Sequence, residues 1–256
     1  MIEGVTFDWW NTLAMTTPEQ DARLRDIRIA RLKALLDRTP GRERAFNETK
    51  LREAYDLQTD RLRETWARNV DLSPSEQTGI FLHVAGLDGG AESFSEAVSE
   101  AFGSALLELP PALFPHAIET LDWLKRNGYA VGLISNTGRT WGRFLREVQD
   151  RLGIGKYFDA RIFSDEVGIR KPEAGIFEKA LQGLHLPPEK VAHIGDDVDA
   201  DVAGAKAYGM RAVWFNAGRL GHRPGYGRWA DTAAEKMDGE VRDHAETPAL
   251  LRRWRE

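Results

Sequence analysis

The sequence predicts an α/β protein, a parallel-sheet core interrupted after its first strand by a helical module. Three observations predict it. A short, β-prone run at residues 2–7 ends at Asp8. Residues 15–113 then carry helical periodicity and no convincing strand. From about residue 117, helix and strand patterns alternate in the order that builds a parallel sheet. With 256 residues the chain is long enough for such a core and a second, smaller module.

The helical stretch has readable starts and stops. Leu51, Tyr55, Leu62 and Trp66 suggest an amphipathic helix. Ser73-Pro74-Ser75-Glu76 sets a capping serine, a proline at the first helical position and a glutamate at the third, and residues 78–87 follow. Ser93-Phe94-Ser95-Glu96 repeats that spacing before Val98, Ala101, Phe102, Ala105 and Leu109. Pro110-Pro111 and Pro115 break the pattern and mark a hinge. The stretch reads as an insert of about four helices. It occupies residues 15–114, set into a core of residues 1–14 and 115–256.

Beyond the hinge, Ile118, Leu121 and Leu124 form an apolar stripe, and Gly128 stands where that helix stops. Strands are expected at 129–135, 160–164, 191–195, 211–215 and 240–242, and helices at 140–152, 173–184, 201–208 and 248–254. Residues 217–236, rich in Gly and Arg, read as loop. In an open parallel sheet, ligands bind outside the carboxyl ends of the strands. The polar residues at those ends are Asp8, Ser135-Asn136, Ser164-Asp165 and Asp196-Asp197, which are expected to converge on one site.

Composition narrows the function. Hydrophobic residues at 42% and charged residues at 29% exclude wholesale disorder. A formal net charge of −5 argues against nucleic-acid binding through a globally basic surface. The absence of cysteine removes disulfides, thiolate metal sites and cysteine nucleophiles. No apolar run approaches the ~20 residues that span a bilayer, and with a strand expected from residue 2 no signal sequence is expected. The expectation is a soluble, cytoplasmic monomer or homodimer with a small-molecule substrate and neither nucleic acid nor membrane as partner.

Four features fall in order along the chain. They are Phe7-Asp8-Trp9-Trp10-Asn11-Thr12-Leu13, Leu133-Ile134-Ser135-Asn136, Arg170-Lys171-Pro172, and His193-Ile194-Gly195-Asp196-Asp197 followed by Asp201. This arrangement resembles the haloacid dehalogenase superfamily, whose four motifs fall at the ends of these same strands, and the resemblance covers nearly the whole chain. It implies a Rossmann-like core with an α-helical cap inserted after the first motif, and a hydrolase working through an aspartyl intermediate on Asp8. Singly, each feature has a plainer reading: a turn aspartate, a strand-to-helix cap, a solvated loop, an acidic helix start. Together, in order and in strand context, they carry the resemblance.

The chemistry follows from the residue types. A carboxylate that takes a phosphoryl group forms an acyl phosphate, which water then hydrolyses. An anionic nucleophile meets an anionic substrate only with charge neutralisation, hence a hard cation and fixed donors. Mg²⁺ takes oxygen ligands and keeps several waters, so one or two carboxylates suffice. Asp8 and Asp196 are the expected ligands, and the family pattern adds the Trp10 backbone carbonyl. Ser135 is expected to donate to the transferring group and Lys171 to neutralise nucleophile and phosphate as a point charge. Asp201 is expected to orient Lys171 or a metal-bound water. Asn136 and Trp10 are expected to line the anionic substrate.

One position departs from the family pattern. Phosphatases of the superfamily carry a second Asp two residues after the nucleophile, and Trp10 stands there. Indole has an N–H donor but no proton to trade near neutral pH, and general acid–base help is worth ~10²–10⁴-fold. The haloacid dehalogenases proper also lack that acid and carry an aromatic there, but they need no metal and have Asn in place of Asp196. Asp196 beside Asp8 without a cation would be costly. The readings are therefore a Mg²⁺-dependent phosphatase, a 2-haloacid dehalogenase-like hydrolase, and a weakly active binding protein that keeps the fold.

The insert offers one more lead. On a helical wheel Leu24, Ile27, Ala34 and Leu35 share a face, with Arg28 and Arg31 at its centre. The plainer reading has their stems packing while the heads reach water. The functional one has an arginine gripping an anionic group of the substrate. The six histidines show no metal-ligand spacing, and His193 reads as a satisfied core residue.

Overall fold

The computed structural model describes residues 1–40, 47–88, 92–218 and 237–254. The chain divides into two compact units. One comprises Met1–Met15, Pro111–Asn136 and Gln149–Glu256, and the other Thr16–Pro110 with Thr137–Val148.

The first unit is built on a six-stranded, all-parallel sheet. Its strands are β1 (Gly4–Phe7), β4 (Ala130–Ser135), β5 (Ala160–Phe163), β6 (Val191–Gly195), β7 (Arg211–Phe215) and β8 (Gly239–Val241), in the order β5-β4-β1-β6-β7-β8. A separate antiparallel pair, β2 (Ala14–Met15) and β3 (Ala112–Leu113), stands where the insert leaves and rejoins the chain. The central strands β1 and β6 are buried along their whole length, which parallel strands covered on both faces require. Helix α6 (Ala117–Arg126) precedes β4, and its buried positions are Ala117, Thr120, Leu121 and Leu124. Ile118, counted in the predicted stripe, is exposed instead. Helix α9 (Ala174–Leu184) buries Ile176, Phe177, Ala180, Leu181 and Leu184 in one apolar cluster with Ile134, Val191 and Val202.

The second unit packs helices α1 (Pro18–Asp37), α2 (Glu48–Trp66), α3 (Pro74–Val84), α4 (Glu92–Gly103) and the short α5 (Ala105–Glu108). Ser73 caps α3 as the sequence predicts, with Glu76 completing the reciprocal box. The second expected box does not start a helix, because Ser93 already lies inside α4. The buried face of α1 is Leu24, Arg28, Ile29, Leu32 and Leu36. The wheel placed Ile27, Ala34 and Leu35 there. Ile27 and Leu35 are half-buried and Ala34 is exposed.

Residues 137–148, including the first turns of α7 (Gly142–Arg151), sort with the helical unit. The reason is apolar: Trp141 and Phe144 join the cluster of Phe81, Phe94, Val98 and Phe102. Gly103 makes room for them, since a Cβ there would stand 2.1 Å from the Phe144 ring and 2.7 Å from Trp141. The expected loop at 217–236 lies almost wholly outside the described residues. Among the described residues, no helix is long and apolar enough to cross a membrane.

Candidate active site

The sheet order places three polar strand ends side by side. Phe7 on β1 is level with Leu133 on β4 and Ile194 on β6. The ladder runs one residue further, with the Asp8 N–H donating to the Ile194 carbonyl at 2.9 Å. Ser135 ends β4 and Asp196 follows β6, so both flank the end of the strand that carries Asp8. β1 is also where the chain switches from building one side of the sheet to the other, the usual place for a ligand crevice.

Lys171 is the centre of the charge network. Its ammonium donates to Asp8 Oδ1 at 2.6 Å, to Asp201 Oδ1 at 2.6 Å and to the Ile134 carbonyl at 2.8 Å. All three of its donors are thereby used. Burial alone would depress this ammonium, but Asp201 and Asp8 outweigh that and hold it above its ordinary value. Asp8 goes the other way. Burial, with Asp201 adding, pushes its carboxyl up to about 7 against the pull of Lys171.

Asp201 is placed by a wide turn over residues 198–203, in which the Val202 N–H reaches back to the Asp197 carbonyl at 3.2 Å. Such i→i+5 turns are frequent at functional sites. The sequence reading had an ordinary helix starting at 201. Gly195 permits the close approach, because a Cβ there would lie 2.2 Å from the Asp201 carboxyl carbon. Asp201 accepts from Lys171, from His193 Nε2 at 3.0 Å and from the Asp197 N–H at 3.0 Å. A carboxylate only accepts, so Nε2 carries the His193 proton and Nδ1 takes the Thr6 hydroxyl at 2.9 Å. Burial keeps that imidazole below its usual range. Lys171 and His193 hold Asp201 ionised despite burial, which acts to raise it.

Asp8, Asp196 and Asp201 are all buried, and each can place an oxygen within 4.8 Å of the others. Three carboxylates against one ammonium leave negative charge that a divalent cation fits. Asp201 already accepts three hydrogen bonds, and Asp8 and Asp196 could hold the cation from the ends of β1 and β6. Among the described residues no N–H donates to the Trp10 carbonyl, which leaves it available as a third. The Asp196 backbone is fixed by Trp214, whose indole N–H donates to its carbonyl at 3.0 Å, and the Thr12 hydroxyl reaches its Oδ1 at 3.5 Å.

The remaining expected site residues divide. The Ser135 hydroxyl is buried and has no partner among the described residues, as a donor reserved for a ligand would be. Asn136 was expected on the substrate, but both ends of its amide clasp the Lys171 backbone. Its Nδ2 donates to the Lys171 carbonyl at 3.1 Å and its Oδ1 accepts the Lys171 N–H at 2.8 Å. Trp10 is half-buried, its ring edge-on to the fully buried Trp9 at 6.1 Å. Asp197 caps the turn that follows it, accepting from the Asp199 and Ala200 N–H groups at 2.9 Å. Ser164 and Asp165 are buried at the start of α8 (Ser164–Val167), after the edge strand β5.

Arg28 and Arg31 belong to the helical unit and are not grouped with Asp8. The Arg28 head does not reach water. It donates to the Phe102 carbonyl at 3.0 Å, to Tyr55 Oη at 3.2 Å and to Thr140 Oγ1 at 3.1 Å. Arg31 donates to Ser104 Oγ at 2.6 Å and pairs with Glu108 at 2.9 Å. The sequence reading missed Thr12 and Trp214, two side chains that reach Asp196. It also read His193 as core without seeing that its register opposite Thr6 aims it at Asp201.

Comparison with known proteins agrees with this geometry. A family model described as haloacid dehalogenase-like hydrolase matches residues 2–209. A glyceraldehyde 3-phosphate phosphatase of Pyrococcus furiosus is 34% identical over 144 residues, 54% of this chain and 52% of that protein. One of Methanopyrus kandleri is 28% identical over 86% of each. The match thus spans about half the length of the first relative and most of the second. Among solved structures, a 2-haloacid dehalogenase from Pseudomonas syringae pv. tomato superposes with a TM-score of 0.69 at 25% identity, covering 99% of this chain and 100% of that one.

Proposed function

The chain belongs to the haloacid dehalogenase-like hydrolases, and within them we propose that it is a Mg²⁺-dependent phosphatase acting on a small phosphorylated metabolite through an aspartyl-phosphate on Asp8. The observation that carries this reading is the charge balance at Asp8, where buried carboxylates outnumber the single ammonium of Lys171. A halide leaves carbon without a proton and without a cation, so a dehalogenase has no use for that excess. The phosphatase names of the sequence relatives support the same side.

Each residue then has a task. Lys171 holds one Asp8 oxygen, and the other attacks phosphorus as the ester P–O bond breaks. The Ser135 hydroxyl donates to a phosphoryl oxygen. Mg²⁺, held by Asp8, Asp196 and the Trp10 carbonyl, would supply neutralisation of the phosphoryl charge. Water then cleaves the acyl phosphate, releasing inorganic phosphate and restoring Asp8. Asp201 and Asn136 act on Lys171, one through its ammonium and one through its backbone. Trp10 gives the leaving oxygen no proton, so substrates with stable leaving groups react fastest.

The aromatic at position 10 and the likeness to a 2-haloacid dehalogenase favour a second reading, attack of Asp8 on carbon. A screen of phosphate esters and 2-haloacids, with and without Mg²⁺, separates the two. Mg²⁺-dependent phosphate release is expected. Halide release that chelators leave intact would replace the first reading by the second.

A further inference from the structure

We propose that His244 is a positioning residue for the metal site: its ring N–H holds the Thr12 carbonyl, and through Thr12 it sets the orientation of the Asp196 carboxylate. This rests on the reading of Asp196 as a Mg²⁺ ligand.

The turn after Asp8 is closed by its own backbone. The N–H groups of Leu13 and Ala14 donate to the Trp9 carbonyl at 3.0 and 2.9 Å, and that of Asn11 donates to the Ala14 carbonyl at 2.8 Å. Asn11 takes a left-handed φ of 57° to allow this. Thr12 sits at the buried tip and is tied at both ends. Its hydroxyl reaches Asp196 Oδ1 at 3.5 Å, and its carbonyl meets His244 Nε2 at 2.8 Å. A carbonyl only accepts, so Nε2 must carry the proton.

His244 comes from the far end of the chain and is itself held. Its ring stacks on Phe215 with centroids 4.4 Å apart and meets the Phe7 edge at 5.9 Å. Its own carbonyl accepts the Thr120 hydroxyl at 2.8 Å. Nδ1 has no partner among the described residues, so the bond to the Thr12 carbonyl is the one that fixes where the ring proton sits. Burial pushes the imidazole down to about 4, which leaves it neutral at pH 7. That neutrality fits the task. A Lys or Arg in this place would bury a fixed positive charge against aromatic rings, whereas phenylalanine would fill the stack and leave the Thr12 carbonyl buried without a donor.

The test is Mg²⁺ binding by isothermal titration on the full chain, with thermal melting to register folding. Wild type is expected to take up Mg²⁺ and Asp196→Asn to lose it. His244→Phe keeps the ring stack without the donor and should weaken Mg²⁺ binding by ~10–100-fold, the usual effect of removing a support behind a metal ligand. His244→Gln carries an amide N–H to the same place and should restore most of the affinity. Thr12→Val, which deletes only the hydroxyl, should weaken binding in the same direction. Binding by folded His244→Phe equal to wild type, or an unchanged Thr12→Val, overturns the proposal. So does a His244→Gln that binds as weakly as His244→Phe. Wild type that takes up no Mg²⁺ overturns the metal reading itself, and this inference with it.

Discussion

Both units bury cationic side chains, but they surround them differently. In the sheet unit, Lys171 faces Asp8 and Asp201 at 2.6 Å, and the ionisation of all three groups is displaced from ordinary values. In the helical unit, Arg28 donates to the Phe102 carbonyl, the Tyr55 hydroxyl and Thr140. Arg139 lies 3.7 Å over the Tyr55 ring and donates to the Tyr55 carbonyl, Gln58 and Thr59. Burial pushes Arg139 down to about 10, still charged at pH 7. Neutral oxygens satisfy a guanidinium without giving up a proton or a charge state. The lesson is that a buried cation among carboxylates prepares chemistry, whereas one among carbonyls and hydroxyls cross-links helices.

The strongest way to break this comparison is to remove each cation in turn. Lys171→Met leaves two buried carboxylates without their partner and should cost ~3–5 kcal/mol in urea unfolding, with phosphate release lost. Arg28→Met leaves only neutral acceptors unpaired and should cost ~1–3 kcal/mol, with KM and kcat of the folded protein near wild type. An Arg28→Met protein with unchanged Tm and a KM raised tenfold or more would move Arg28 from architecture to substrate binding.

Next in size is the missing acid. Trp10→Asp should raise kcat on alkyl phosphates, within the ~10²–10⁴ range of general acid–base catalysis. It should leave aryl phosphates, whose leaving groups need no proton, little changed. Equal gains on both would show that Trp10 acts on binding instead.

A third test separates the neutral histidine from the charged site it supports. His244 titrates at about 4 when folded against 6.5 for a free imidazole. The unfolded chain therefore binds the proton first, and the stability it contributes is full above pH 6.5 and is lost as pH falls toward 4. That loss amounts to about 3 kcal/mol between those limits. Urea unfolding of His244→Phe across this window should show a flatter acid limb than wild type. Parallel curves would mean that His244 is not the group responsible.

The legible parts of the molecule were those written locally. The strand ends at Asp8, Ser135 and Asp196 follow from short apolar runs ending in a polar residue, and their meeting follows from parallel topology. The Ser73 cap is equally local, and Ser73→Ala should cost only ~1 kcal/mol, the smallest effect expected, with activity untouched. What stayed hidden depends on partners distant in sequence. A helical wheel assumes a face without knowing what it packs against, so it missed Ile29, Leu32 and Leu36 on α1. The Asn136 clasp on Lys171 bridges 35 residues and the His244 bond to Thr12 bridges 232. Nothing in the residues near Thr12 announces the latter.

The central claim is that Asp8 attacks phosphorus with a divalent cation beside it. The most direct measurement is mass spectrometry of an acid-quenched turnover with a phosphate ester. It should find a phosphoryl adduct on the peptide carrying Asp8, present with Mg²⁺ and absent in Asp8→Asn or after chelation. An adduct on another residue, or phosphate release that survives Asp8→Asn, would contradict the account.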